Sequence, residues 1–252
     1  MKTVKILTLS LTLFTACQGT NLQNTVSTKN FETEKKSITI PIESQQLIMV
    51  TTPNWHEKKG ELQRYERNKK GKWIKVENAI DIVLGRNGLG WGLGLHNIPK
   101  SAKYIKKEGD GKSPAGLFSL GNGFGYKNFK IDFPYQRYTR TDHCVDDSKS
   151  EFYNTIIDSK RIKKDYKSFE HMKLRNNLYK YGITVQHNPE NIAQSGSCIF
   201  IHIKSPRSKG TAGCTTMREK EIVAVLKWLD EAKKPLLLQL PENEMRKIEI
   251  KR

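Results

Sequence analysis

The stretch Cys198–Met217, CIFIHIKSPRSKGTAGCTTM, combines a strand-like run, a loop and a cysteine that follows a glycine. In the opening run, CIFIHI, isoleucines alternate with other residues, which is typical of an extended strand whose side chains point to opposite faces in turn. Cys198, Phe200 and His202 would therefore share one face, and the isoleucines would share the other. The sequence predicts a β-strand with a chemically distinct face that carries His202.

Cys214 follows a loop that can turn back onto this strand. The loop 204–213 contains proline and glycine, so we expect it to bring Cys214 beside His202. The run after the cysteine indicates a helix with Thr216 as its N-cap and Glu219 three positions later, the pattern of a capping box. A helix start stabilises a thiolate and so lowers the pKa of a nearby cysteine.

These features favour a cysteine nucleophile with a histidine base. Gly213 lets the backbone turn sharply and lets a substrate carbonyl approach main-chain N–H groups, as an oxyanion hole requires. On the residues alone, Cys214 could instead be a buried thiol beside a hydrogen-bonded histidine, or one ligand of a zinc site. The other zinc ligands would be Cys198, His202 and either His143 or Cys144. Zinc sites prefer closely spaced cysteine pairs, and the sequence has none.

Most of the remaining chain predicts β-structure. Strand-like runs lie at 37–42, 46–52, 61–67, 72–76, the start of 79–96, 183–188 and 235–240. The runs 61–67 and 72–76 flank NKKG and predict a hairpin. Two segments have helical spacing: 168–182, with Ser168 as N-cap and Gly182 as its end, and 216–234. Short strands with glycine-rich connections predict a mainly β (α+β) domain, either a sandwich or a barrel.

The chain is strongly basic, with 44 Lys and Arg against 26 Asp and Glu and a net charge of +18. Such a protein favours anionic surfaces. The lysines are spread along the chain, however, and no zinc-finger spacing, basic zipper or aromatic RNA-binding pattern accompanies them. We therefore expect no nucleic-acid partner.

The first residues predict export. Residues 1–16 have a basic start, an apolar stretch from Ile6 to Phe14 and small residues before Cys17, which is typical of a secretory signal peptide and too short to span a bilayer. The segment ending at Cys17 resembles a bacterial lipobox, although Phe14 stands where leucine is preferred. The alternative is ordinary cleavage with an incidental cysteine.

A lipid on Cys17 would anchor the chain without a spanning helix. Gln18 after it resembles lipoproteins sent to the outer membrane, so we expect a periplasmic, membrane-anchored protein. Residues 17–36 are polar and predict a flexible tether. Residues 37–252 would form a single domain, which we expect to be monomeric.

Six blocks of the chain resemble, in order, the catalytic domain of the L,D-transpeptidases, also called YkuD-like. The resemblance covers about residues 45–240 and is most specific at the last block with its upstream histidine. The blocks are GRNGLGWGLGLH (85–96), EGDGKSPAGLFSLGNGFGY (108–126), HCVDDSKSEFYN (143–154), GITVQHN (182–188), GSCIFIHI (196–203) and GTAGCTTM (210–217).

The resemblance implies a β-sandwich-like domain with peripheral helices and a cysteine acyltransferase that needs no metal or organic cofactor. Cys214 would be the nucleophile and His202 its base, with Gly213 and Thr211 as oxyanion or supporting residues. The substrate would be the bond between an L-centre and the terminal D-alanine of a peptidoglycan tetrapeptide stem, and the acyl group would pass to an acceptor amine. Candidates for substrate binding are His187, His96, Thr215 and Arg218.

One departure concerns the acceptor side of the site. Many family members have an arginine two residues after the cysteine, where this chain has Thr216, with Arg218 two positions further on. Hydrolysis therefore stays open as an alternative, by an L,D-carboxypeptidase or by an endopeptidase that cuts peptidoglycan or its links to proteins. A catalytically inactive wall-binding lipoprotein is the alternative from another class.

The resemblance also places Cys144 and Cys198 near the active site. Because an exported chain meets an oxidising compartment, these two cysteines are candidates for a disulfide. Two free buried thiols are the first alternative. Pairing of Cys198 with Cys214 is the second, and it would inactivate the enzyme.

Overall fold

The computed structural model describes residues 38–207 and 209–247, so the predicted signal peptide, the tether and Cys17 lie outside the described residues. The described chain is mainly β, as predicted, and contains thirteen strands. They are β1 (Gln46–Thr52), β2 (Lys59–Arg67), β3 (Trp73–Val83), β4 (Leu89–Trp91), β5 (Ser113–Gly125), β6 (Tyr135–Arg137), β7 (Asp142–Val145), β8 (Ile156–Asp158), β9 (Phe169–His171), β10 (Tyr181–Val185), β11 (Phe200–Ile203), β12 (Thr215–Met217) and β13 (Leu236–Pro241).

Ten of these strands form one large sheet that closes on itself. Its order is β10-β11-β12-β3-β2-β1-β13-β5-β4, with β6 on β5, and β5 also pairs with β10. The predicted hairpin is confirmed, since β2 and β3 pair antiparallel up to Arg67 opposite Trp73. The closed sheet brings β11 and β12 side by side in parallel, which places the segment before β12 next to the start of β11.

A second sheet of three short strands has the order β8-β7-β9. Cys144 on β7 lies opposite Ile156 on one side and Glu170 on the other. Sequence analysis predicted no strand here. Each of these strands has three or four residues, which is too short for a clear alternating pattern.

The predicted helix over 168–182 is wrong. The segment contributes β9, crosses the protein as irregular chain and enters β10. The hydroxyl of Tyr126 organises the irregular part, since it accepts hydrogen bonds from the N–H groups of Leu174 (3.3 Å) and Tyr179 (3.2 Å) and donates to the carbonyl of Asn176 (2.9 Å). These contacts satisfy backbone groups that a helix would otherwise pair internally.

The second predicted helix exists but begins later than expected. Helix α1 (Glu219–Trp228) has Arg218 as its N-cap, and the N–H of Arg218 donates to the carboxylate of Glu221. Thr216 belongs to β12 and donates its hydroxyl to the Val83 carbonyl, because pairing with β3 and β11 keeps the chain extended. The run 37–42 is also not a strand in its described part.

A 3₁₀ turn (Glu231–Lys233) and a short helix α2 (Glu242–Met245) complete the described elements. Neither helix of the described chain has the length and apolar character that crossing a membrane requires.

The two faces of β11 line different interiors. Ile199, Ile201 and Ile203 pack into the main core inside the large sheet. The opposite side of this segment contributes Cys198 and Phe200 to a smaller group that we call the thiol cluster. Its members are Phe124, Tyr138, Cys144, Met172, Tyr179, Cys198, Phe200 and Cys214. The predicted division of this strand is confirmed.

Candidate active site

The thiol of Cys214 lies against the start of β11. Its Sγ accepts a hydrogen bond from the Phe200 N–H (3.3 Å), and the thiol donates to the Cys198 carbonyl (3.6 Å). Cys214 is only 6% exposed. The parallel register of β11 and β12 brings the two segments together, as the sequence predicted for the loop and the strand.

The loop before Cys214 is held by Thr211. The Thr211 hydroxyl donates to the Cys214 carbonyl (2.6 Å) and accepts a hydrogen bond from the Gly213 N–H (3.1 Å). Ser113 also donates to the Cys214 carbonyl (3.3 Å). Thr211 therefore supports the loop that precedes Cys214, and the Gly213 N–H is engaged there rather than free for an oxyanion.

His202 is buried and oriented by the main chain. Its Nδ1 lies 2.9 Å from the Ile203 carbonyl, which can only accept, so Nδ1 carries the proton and Nε2 keeps the lone pair. The edge of the Tyr179 ring packs at 4.9 Å between centroids and 81° to the imidazole. No hydrogen bond joins His202 to Cys214 in the described residues. In the pairing of β11 with β12, His202 lies opposite Thr216, which is two residues after Cys214.

Burial controls the charge of both groups. Desolvation lowers the pKa of His202 to about 4, against the opposing effect of the Ile203 and Leu178 carbonyls. The imidazole is thus neutral at pH 7, in the form that can accept a proton. Burial also raises the pKa of the Cys214 thiol, and the charge of Glu170 raises it further, whereas the Phe200 N–H and Lys106 lower it.

The expectation of a thiolate stabilised by a helix start is therefore wrong for this state of the protein. β12 separates Cys214 from the N-cap at Arg218, and the effect of a helix dipole falls off within its first turn. Burial thus favours the neutral form of both the Cys214 thiol and the His202 imidazole.

Sequence reasoning missed two residues that join this cluster from the 168–182 segment. The Tyr179 hydroxyl donates to the Glu170 carboxylate (2.5 Å). Burial, followed by the charges of Asp146 and Glu108, raises the pKa of Glu170 to about 7, although the hydrogen bond from Tyr179 lowers it. Glu170 alternates with Phe169 and His171 in a three-residue strand, and no motif in the sequence marks it.

Lys106 is a third residue that sequence analysis did not select. It is 5% exposed, and its ammonium donates to Asp110 (2.8 Å) and to the Lys107 carbonyl (2.6 Å). A Cβ placed on Gly196 would lie 3.1 Å from Lys106 Cε, and one placed on Gly213 would lie 3.8 Å from it. The lysine stem therefore packs between the two loops that flank the thiol.

A disulfide joins Cys144 to Cys198, and Cys214 is the free thiol of the described chain. The bond connects β7 to the start of β11 across 54 residues, which stabilises the fold by about 4 kcal/mol on loop-closure entropy. Cys198 has a φ of 54°, a left-handed conformation that is uncommon outside glycine, and its N–H is held by Asn154 (3.0 Å). Residues forced into such conformations often border functional sites.

The disulfide argues against the zinc alternative, because that site needed Cys198 as a thiolate. Among residues 38–207 and 209–247, no three His, Cys, Asp or Glu side chains gather as a metal site would require. His143 instead stacks on Phe169 at 3.9 Å and bonds the Tyr166 hydroxyl.

Two of the histidines suggested for substrate binding are held by the main chain. His187 accepts from the Leu93 N–H (3.3 Å) and donates to the Ser195 carbonyl (3.0 Å), and burial lowers its pKa to about 4. His96 bonds Leu117 through Nδ1, and its Nε2 has no hydrogen-bond partner in the described chain.

Thr215 and Arg218 do not face the thiol. The buried Thr215 hydroxyl donates to Gln239 (2.8 Å), so this side chain ties β12 to β13. Arg218 pairs with Glu221 at the start of α1 and lines a separate groove with Arg64 and Glu77. Their suggested contact with substrate is not supported by these positions.

A cavity of about 210 Å³ opens beside the thiol. Cys198 and Phe200, whose backbones contact the sulfur, form part of its wall, together with His187, Tyr138 and Asn154. Cys214 itself is not part of the lining, and its thiol lies behind Cys198 and Phe200.

No protein-family model matches the chain, and no curated protein is significantly similar to it.

Proposed function

We propose that this protein is a peptidoglycan L,D-transpeptidase in which Cys214 is the nucleophile and His202 is the base. The observation that carries the proposal is the placement of the free thiol against the strand that bears a neutral imidazole with a fixed tautomer. The resemblance of the sequence blocks to the YkuD-like catalytic domain supplies the substrate and the sandwich-like family fold, which remain part of this proposal.

The reaction would begin with proton transfer from the Cys214 thiol to Nε2 of His202 as the sulfur attacks the stem carbonyl. The tetrahedral intermediate collapses to a thioester when the peptide C–N bond breaks, and His202 returns the proton to the departing D-alanine amine. An acceptor amine then attacks the thioester, passes its proton to His202 and forms the new amide. The thiol leaves as the sulfur recovers the proton.

The two neutral partners fit this sequence of steps. A histidine whose pKa is about 4 does not hold a proton at pH 7, so it is available as a proton acceptor when the sulfur attacks a bound carbonyl. The thiol cluster would exclude water from the sulfur. Electrostatic interactions that form only in the transition state are stronger where water is excluded. The Cys144–Cys198 disulfide would hold the cavity wall close to the sulfur.

Hydrolysis on the same scaffold is the second candidate, and the position of Arg218 favours it. An arginine near the nucleophile could bind an acceptor or donor carboxylate, whereas Arg218 pairs with Glu221 away from the thiol. Water would then replace the amine, giving an L,D-carboxypeptidase or an endopeptidase.

The cellular setting is also part of the proposal. The signal sequence and lipobox-like segment support an exported protein anchored through Cys17 to the outer membrane and facing the periplasm. Its substrate there would be peptidoglycan, and we propose that it acts as a monomer without a cofactor.

Muropeptide analysis of the purified protein with tetrapeptide-containing peptidoglycan fragments tests the reaction. Dimers that are absent with Cys214→Ala would support transpeptidation, and tripeptides without dimers would support the hydrolase. Sacculus binding with neither product would contradict both and favour the inactive wall-binding module.

A further inference from the structure

Strand β3 carries a bulge near its middle. The pairing of β2 with β3 shifts register between Leu62 and Arg64, so Gln63 alone faces the three residues 77–79. The Gln63 side chain holds the bulge, since its amide donates to the carbonyl of Glu77 (3.2 Å). Bulges redirect side chains and are frequent beside functional sites.

The bulge brings a carboxylate to a buried arginine. Glu77 has a φ of 56°, a left-handed conformation that is uncommon outside glycine. Its carboxylate accepts a hydrogen bond from Nη2 of Arg64 (2.5 Å), although the Glu77 side chain is 72% exposed. Backbone strain of this kind is frequent at sites that hold ligands.

Arg64 is a buried cation with an incomplete set of hydrogen bonds. Its side chain is 4% exposed, and its guanidinium lies over the Trp228 ring, 5.5 Å from the centroid. Nη1 donates to the Ala224 carbonyl (3.4 Å), whereas Nε has no hydrogen-bond partner in the described chain. A guanidinium can hold both oxygens of one carboxylate side by side, but Glu77 bonds Nη2 alone. Arg64 therefore has a donor left that a differently placed carboxylate could satisfy.

A groove lies between the bulge and the start of α1, and we call it the bulge groove. Its volume is about 560 Å³, within the range of small-molecule sites. Its lining includes three cations, Arg64, Arg218 and Lys220, and two carboxylates, Glu77 and Glu221. Each arginine is paired with one of these carboxylates, and Lys220 has no ion-pair partner among the described residues. The lining therefore carries one excess positive charge.

We propose that the bulge groove binds a small monocarboxylate, whose carboxylate replaces that of Glu77 on Arg64. One negative charge balances the excess charge of the lining. A carboxylate that is not tied to the bulge can lie across Nε and Nη2 of Arg64, the two-point contact that arginine favours. Glu77 is able to withdraw because most of its side chain faces solvent, where an ion pair contributes little. Cys214 is not part of the lining, so this site goes beyond the proposed function.

An NMR titration of the full chain tests the site with N-acetylglycine, a monocarboxylate, and with its neutral amide. We expect the acid, but not the amide, to shift the backbone signals of residues 77–80 and 218–221. Cys214→Ala should bind the acid unchanged, so the test does not depend on the proposed reaction. Equal shifts with both compounds, or tighter binding of inorganic phosphate than of the acid, would overturn the proposal.

Two substitutions test the roles of the charges. Glu77→Gln removes the competing carboxylate and should tighten binding of the acid by about two- to fivefold, and Lys220→Gln should weaken it by a similar factor. The matched control is Lys227→Gln, which changes an exposed lysine of the same helix outside the groove and should leave binding unchanged. Weaker or unchanged binding in Glu77→Gln, or equal losses in the two lysine variants, would contradict the assignment.

Arg64→Lys tests the two-point contact. The variant keeps the charge but not the planar pair of donors, so it should lose most of the binding of the acid. Unchanged thermal unfolding would show that the variant folds, and full binding in the folded variant would remove Arg64 from the site.

Discussion

The two sides of the β11 segment face interiors of opposite chemistry. On one side, Ile199, Ile201 and Ile203 join a main core made almost entirely of aliphatic and aromatic groups. On the other side, the thiol cluster adds a disulfide and a free thiol, and His202 and Glu170 adjoin it through Tyr179. Both sides are buried, but only the second contains groups that can exchange protons.

The difference shows how a single strand can support both stability and reactivity. Burial of an isoleucine removes apolar surface from water and stabilises the fold. Burial of an imidazole or a carboxyl group instead makes its charged form less favourable, because that form loses its hydration. The pKa of the imidazole falls and the pKa of the carboxyl group rises. The same desolvation that stabilises the main core therefore sets the protonation of His202, Glu170 and Cys214.

The largest expected effect is a loss of activity from a substitution on the side of β11 that carries His202. His202→Ala should lower turnover by about 10²–10⁴-fold, because a positioned general base contributes that much. Because burial raises the pKa of the Cys214 thiol, rescue by free thiolate should begin only at strongly alkaline pH. The measurement is the pH profile of turnover in both proteins. A variant with normal turnover at neutral pH would remove His202 from the mechanism.

A substitution on the opposite side should act on stability. Ile201→Ala should lower the free energy of unfolding by about 2–5 kcal/mol, since it leaves a cavity at a fully buried position. Denaturant unfolding measures the loss, and turnover per folded molecule should change little. If Ile201→Ala abolished turnover in folded protein, the division between the two sides would not hold.

Acid should destabilise the fold through two buried histidines, His202 beside Tyr179 of the thiol cluster and His187 beside Phe118 of the main core. His202 and His187 each have a pKa lowered from 6.5 to about 4, so the unfolded chain takes up protons first as the pH falls. Their contribution is present above pH 6.5 and is lost between pH 6.5 and 4, on the order of 3 kcal/mol for each histidine. Unfolding measured across that range should show the loss, with a smaller slope in His202→Ala.

The smallest effect concerns the two charges that act on the thiol. Lys106→Met should raise the pKa of Cys214 and Glu170→Gln should lower it, because the lysine favours and the carboxylate opposes a thiolate. The pH dependence of alkylation at Cys214 measures both. Lys106→Arg is the control for charge, and a shift of the same size in that variant would indicate packing instead.

Long-range pairing explains which features the sequence could predict. The alternation in 198–203 and the hairpin at 61–76 are local patterns, and both were found. The start of α1 was misplaced because the hydrogen bonds of Thr216 to distant strands extend β12 beyond the capping pattern. Glu170 went unnoticed because β9 exists only through pairing with β7, and short strands of that kind carry little sequence signal.

The same reasoning applies to the site. The sequence predicted that the loop brings Cys214 beside His202, whereas the structure places the sulfur against the backbone of Cys198 and Phe200, earlier on the same segment. Lys106 could not be predicted, because it lies more than a hundred residues before Cys214 in the sequence. Its stem packs beside Gly196 and Gly213, where no side chain takes up the space. The burial that raises the thiol pKa depends on the thiol cluster, whose members Phe124, Cys144 and Met172 lie far from Cys214 in the sequence.

Intact-mass spectrometry after incubation with a carbapenem tests the role of Cys214 most directly. Carbapenems acylate the nucleophilic cysteine of the family that the sequence resembles, so we expect a single adduct on Cys214 and none in Cys214→Ala. His202→Ala should slow adduct formation at neutral pH. An adduct on another residue, or no adduct although the thiol still reacts with an alkylating agent, would contradict the assignment of Cys214 as the nucleophile.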